Sequence, residues 1–166
     1  MKNKYLIITF ITLIALVITG CTNKYGIDTS KYNTNGLEVV NCSRNATTDD
    51  GSKAKITYKA YYDKKEYLKV FESTEVITSN DNNTLDTYEK AYKNVYKAYK
   101  SIDYYEKSII REGNKVISKT YINYGKVDID KIMEIEGTED NVKVVNGKIK
   151  VDDWIKFAKK YGTSCK

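Results

Sequence analysis

Ala54, Ile56, Tyr58, Ala60 and Tyr62 alternate with Lys55, Thr57, Lys59 and Tyr61. A period of two over nine residues predicts a half-buried β-strand. Asp63-Lys64-Lys65 turns the chain, and residues 66–77 return as a second strand with Leu68, Val70 and Val76 on one face, interrupted by Glu72. Leu37 to Ser43 predicts a shorter strand carrying Cys42. The period then changes. Leu85, Tyr88, Tyr92, Val95 and Tyr99 step by three and four, so residues 85–100 are expected to form an amphipathic helix, with Thr84 as its N-cap.

Beyond this helix, residues 104–111 and 115–124 predict a hairpin around Glu112-Gly113-Asn114. Residues 128–136 predict a short helix with Ile129, Ile132 and Met133 inward, followed by a loop over 137–141. Asn146-Gly147 between residues 142–145 and 148–151 is a strong two-residue hairpin signal. Asp152 is expected to cap a last helix that packs Trp154, Ile155, Phe157, Ala158 and Tyr161 inward and stops at Gly162. The fold class is therefore α+β: an antiparallel sheet built from hairpins, one long amphipathic helix packed on it, and a short C-terminal helix.

The amino terminus follows another logic. Lys2 and Lys4 precede a thirteen-residue run from Leu6 to Ile18 that only Thr9 and Thr12 interrupt, and Ile18-Thr19-Gly20-Cys21 closes it. A basic start, a short apolar stretch and small residues before a cleavage point describe an export signal. The run is shorter than the roughly 18 residues of a membrane-spanning helix. The closing tetrapeptide resembles a bacterial lipobox, in which cleavage before cysteine leaves a thioether-linked lipid on that residue. Residues 1–20 are thus expected to be a lipoprotein signal peptide. Cys21 would carry acyl chains such as palmitate, anchoring the protein to the outer face of the cell membrane. Residues 21–36, polar and without periodicity, would be the lipidated terminus and a flexible tether, and residues 37–166 a single domain. Two or three acyl chains hold a protein stably where one gives marginal binding.

Composition narrows the chemistry. The whole chain carries +6; the two lysines before Cys21 account for two of those charges, leaving +4, too mild for a nucleic-acid footprint. With no histidine, the commonest general base and metal ligand is missing. No G-x-S-x-G, phosphate loop or dinucleotide fingerprint occurs. A calcium loop beginning at Asp128 fails, because Ile132 and Met133 stand where an oxygen ligand and a glycine are needed. No cofactor and no metal is expected. With Cys21 acylated, Cys42 and Cys165 remain as an even pair, either a disulfide of the oxidising exterior or two free buried thiols. Lys90, Lys93, Lys97 and Lys100 step by three and four on the helix face opposite the apolar stripe. The row is either an ordinary solvated face or a contact for anionic headgroups or a wall polymer.

Three stretches resemble the YehR-type small bacterial lipoproteins: Ile56-Thr57-Tyr58-Lys59-Ala60 running into Asp63-Lys64, Tyr124-Gly125-Lys126-Val127-Asp128, and Gly147 to Gly162. The resemblance spans roughly residues 52–162. It implies an α+β domain with a helix packed on an antiparallel sheet. It implies no activity and brings no functional residues, and the Cys42 and Cys165 pair lies outside it. These observations together describe a membrane-tethered, non-enzymatic envelope module that binds an unidentified partner. The competing reading is a small envelope enzyme acting on cell-wall glycan or peptide through carboxylates. A cleft with two close carboxylates favours the enzyme, and a solid body without a deep pocket favours the module.

Overall fold

In the computed structural model, residues 25–137 and 142–166 are described. The expected signal peptide, Cys21 and most of the loop expected over 137–141 lie outside them. Six strands form one antiparallel sheet: β1 (Glu38–Thr47), β2 (Lys53–Tyr62), β3 (Leu68–Thr78), β4 (Tyr105–Glu112), β5 (Lys115–Asn123) and β6 (Ser164–Cys165). Their spatial order is β4-β5-β3-β2-β1-β6. Three helices, α1 (Asn82–Lys97), α2 (Ile129–Glu136) and α3 (Val151–Lys160), are found among the described residues.

The hairpins follow from their turns. Asp50 accepts hydrogen bonds from the Thr48 hydroxyl (2.6 Å) and the Ser52 amide (2.9 Å), closing β1 onto β2. Asp63 does the same for the Lys65 and Tyr67 amides. Gly113, at φ 53°, makes the two-residue β4–β5 turn opposite the Glu112–Lys115 pair. Asn146 and Gly147 both adopt positive φ, 51° and 64°, as their hairpin signal requires. That hairpin is reduced to a single bridge between Val144 and Ile149, because Val151 already belongs to α3.

Several expectations change in register. β1 runs on to Thr47, and Ala46 packs near Ala54 on the next strand. Leu68 does not share a face with Val70 and Val76. Tyr61 pairs with Val70 and Tyr62 with Leu68, so Lys69 is an extra residue in β3. This bulge reverses the alternation: Leu68, Phe71 and Ile77 face the helices, while Val70 packs on the far side with Ile27, Tyr32 and Tyr121. The α1 N-cap is Asp81 rather than Thr84. The Asp81 carboxylate accepts from the Asn83 and Thr84 amides, so the helix starts three residues early and ends at Lys97. Tyr96 rather than Val95 continues the inward stripe, and Val95 is exposed. Asp152 sits in the first turn of α3, near the positive end of the helix dipole, while Lys150 holds the cap position without a side-chain hydrogen bond.

All three helices cover one face of the sheet. α1 docks through Leu85, fully buried against Ala54, Ile77 and Val116. α2 brings Ile129, Ile132 and Met133 into the main core as the sequence pattern predicts, capped by Asp128. α3 sets Trp154 against Tyr58 and Phe71. The other face carries an amino-terminal strap. Ile27 and Tyr32 are buried there, Tyr32 lying 5.3 Å from the Tyr121 ring. From Tyr25 onward the stretch expected as a flexible tether is therefore packed on the sheet.

Candidate functional site

The helical layer does not close. A cleft of about 460 Å³ opens between α1 and α3, with α2 at one end, within the range of about 300–1,000 Å³ typical of small-molecule sites. Its floor is set by strand register. Tyr105, Ile122 and Phe71 lie in one cross-strand row, and Lys107, Thr120, Ser73 and Tyr58 form the next. A third row holds Glu75 and Arg44 on either side of Ile56. Val95 and Tyr99 form one wall, Trp154, Phe157 and Tyr161 the other, and Met133 and Glu136 the end.

Eight aromatic rings contribute to this lining. Tyr99 stacks on Tyr105 at 4.4 Å, and Trp154 meets Phe71 edge-on at 5.5 Å. Burial pushes the Tyr58 phenol up to about 12, and those of Tyr99, Tyr105 and Tyr124 also lie well above their ordinary value. They are therefore neutral hydrogen-bonding groups at any physiological pH.

Four charged groups border the rings. Lys107 on β4 is half-buried, its ammonium 5.4 Å from the centre of the Tyr92 ring. Desolvation holds it below the usual lysine value, opposed by the Glu75 and Glu136 carboxylates. Glu136 is exposed as a residue at the cleft rim, yet the protein crowded around its carboxyl raises its pKa. A 3.4 Å hydrogen bond donated by the Tyr99 hydroxyl, and the Lys107 charge, act in the opposite direction. Burial first, and then the nearby Glu75 carboxylate, hold the Tyr92 phenol above its ordinary value. Arg44 donates to the Tyr161 carbonyl at 2.8 Å. Among the described residues, neither Lys107 nor Glu136 takes part in an ion pair.

The residues singled out from sequence lie elsewhere. Cys21 falls outside the described residues. Cys42 and Cys165 are joined by a disulfide that ties β6 to β1, the first of the two alternatives. Lys90, Lys93 and Lys97 are exposed on α1, whereas Lys100, also exposed, lies in the turn beyond the end of the helix; Lys93 pairs with Glu89, and Lys97 donates to Asn94. Asp128 caps α2. Among the described residues, no cluster of histidine, cysteine or carboxylate side chains is placed to hold a metal. The cleft residues were missed because they come from eight different strands and helices. The available signal was Lys107 standing between Tyr105 and Ile109 in the same-face series of one strand.

Neither protein-family models nor curated proteins match the chain. Among solved structures, the NMR structure of the E. coli YehR protein matches with a TM-score of 0.55 and 18% identity, covering 78% of this chain and 92% of that one. The NMR structure of a protein from Streptococcus pneumoniae TIGR4 matches with a TM-score of 0.49 and 11% identity, covering 81% of this chain and 87% of that one. At such identities the likeness to YehR is one of fold, in keeping with the resemblance drawn from the sequence.

Proposed function

We propose that this chain is a lipid-anchored, extracytoplasmic bacterial lipoprotein that binds a small ligand in the cleft between α1 and α3 and performs no catalysis on it. The observation that carries the reading is the cleft itself, an open depression lined by eight aromatic rings, where the sequence alone leads us to expect a binding module without a deep pocket. Export is supported by the basic and apolar start ending at Cys21 and by a disulfide in the folded body. The strap brings the body near its anchor. Cys21 precedes Tyr25 by four residues, a reach of about 14 Å at full extension.

A second reading rests on Glu75 and Glu136, which both border the cleft. Glycan hydrolysis pairs one protonated with one ionised carboxyl across the scissile bond, and the raised pKa of Glu136 suits the acid. Binding is favoured because the lining is mainly aromatic and its four charged groups come from four different elements, Glu75 from β3, Glu136 from α2, Lys107 from β4 and Arg44 from β1.

Two experiments test the proposal. Cys21→Ala should move the protein from the membrane to the soluble fraction and abolish palmitate labelling; continued membrane retention overturns the anchor. Purified protein incubated with small molecules extracted from the envelope should retain a species unchanged in mass, and Val95→Trp, which fills the cleft from an exposed position, should release it. Retention of a cleaved product that disappears with Glu136→Gln overturns the non-catalytic reading.

A further inference from the structure

We infer that the cleft takes a small zwitterion with an apolar or aromatic body, an unblocked amino acid or short peptide; the inference rests on the cleft being the binding site. The lining divides into an apolar interior and a charged border that holds both signs. Phe71, Tyr105, Ile122, Met133 and Trp154 supply surface on which only an apolar or aromatic body gains by burial. An uncharged hydrocarbon would bring no counter-charge to the Lys107 ammonium at that border.

Lys107 is the decisive residue. Its ammonium is half-buried above a phenol ring, with no carboxylate in ion-pair contact among the described residues. A partly desolvated ammonium gains most from a charge-assisted hydrogen bond, and a ligand carboxylate in the cleft supplies it. An acid alone would bring a further negative charge beside Glu75 and Glu136, the two carboxylates that already act on Lys107. A ligand that also carries an ammonium answers that charge, with Glu136 at the rim placed to receive it. Arg44, on β1 at the other end of the cleft floor from Lys107, is turned toward the Tyr161 carbonyl.

The protein carries its own reporter, because Trp154 is the single tryptophan of the chain and lines the cleft. Detergent-solubilised, disulfide-bonded protein is titrated with the dipeptide Phe-Phe, its N-acetyl form, its C-terminal amide, and toluene, following Trp154 emission and heat of binding. The free dipeptide should saturate, and capping either end should weaken binding at least tenfold. Lys107→Met should abolish discrimination against the amide, with Lys107→Arg restoring it. Glu136→Gln should abolish discrimination against the acetyl form. Val95→Trp, which touches no charge, should weaken all ligands alike, read from the heat of binding. Equal binding of free and capped dipeptides overturns the zwitterion. Binding of toluene with no response to the dipeptide overturns the ligand class while the binding site stands. Silence of every probe with melting curves unchanged overturns both.

Discussion

Replacing Cys42 and Cys165 by serine opens a covalent link across 123 residues of sequence. The chain-entropy relation for a loop of that length gives about 5 kcal/mol, and removal of a native disulfide from a small secreted domain typically costs about 2–5 kcal/mol. The structure indicates where the loss falls. β6 is two residues long, and besides the bridge it is held to β1 by backbone pairing that includes the reciprocal Asn41–Lys166 bonds of 3.0 and 2.9 Å. So short an edge strand has little stability of its own. α3 ends four residues before β6 and carries Trp154, so loosening the bridge loosens one wall of the cleft. The double variant should lose about 10 °C in melting temperature, from about 3 °C per kcal/mol for a domain of this size. Urea unfolding followed by Trp154 fluorescence should show the same loss for wild type in reductant. A variant melting within 2 °C of wild type, or wild type indifferent to reductant, would refute this account of how the two ends are joined.

Other substitutions probe separate parts of the body. Leu85→Ala removes the side chain that docks α1 onto Ala54, Ile77 and Val116; it should cost about 2–5 kcal/mol by urea unfolding, and a loss below about 1 kcal/mol would mean the helix is held elsewhere. Ser118 is fully buried, and its hydroxyl has no hydrogen-bond partner among the described residues, so Ser118→Ala should leave the melting temperature unchanged or raise it. Asp50, held at about 2 by the Thr48 hydroxyl and the Ser52 amide, is ionised more readily in the folded than in the unfolded chain. Its contribution is therefore complete above the ordinary carboxylate value near 3.8 and disappears as pH falls through about 2. Asp50→Asn should destabilise at pH 7 and match wild type below pH 2; an equal deficit at both would show that the turn depends on shape rather than charge.

The elements readable in the sequence are those whose cause is local. The alternation over residues 54–62 is one strand lying against one packed layer, and the steps of three and four from Leu85 to Tyr92 are one helix on one sheet face. Cys42 and Cys165 could be set apart as an even pair by counting, on the expectation that Cys21 is acylated, although counting alone left free thiols open. What stayed hidden is non-local. The bulge at Lys69 exchanges the faces of β3, so Glu72 interrupts nothing in the helix-covered core and Glu75 reaches the cleft instead. The strap shows no periodicity, because Ile27 and Tyr32 each fill a separate depression on a surface built by β3 and β5. The cleft is a gap between helices, and no single segment encodes a gap. Lys107 and Glu136 look like solvent-facing charges in their own strand and helix, and only the register that sets them around the same aromatic floor gives them a common role.

The two faces of the sheet divide the roles proposed for the charged surface. The strap that leads back toward Cys21 lies on one face and α1 on the other. A helix packed on a sheet places its outer row about 15 Å above the strands, comparable with the whole reach of the chain from Cys21 to Tyr25. An acyl chain seated in the bilayer would therefore bring the strap face toward the headgroups. That face carries Lys53, Lys55, Lys59 and Lys119, with Lys119 lying over the Tyr25 and Tyr121 rings. Lys90, Lys93, Lys97 and Lys100 would then point outward, where an anionic wall polymer rather than the anchoring membrane is within their reach. Charge removal on α1 should leave adsorption of the acylated protein to anionic vesicles intact and weaken its retention by isolated wall polymer. Removal at Lys55, Lys59 and Lys119 should do the reverse. If the α1 row instead governs vesicle adsorption, the strap does not set the orientation, and the body must stand on its helical side.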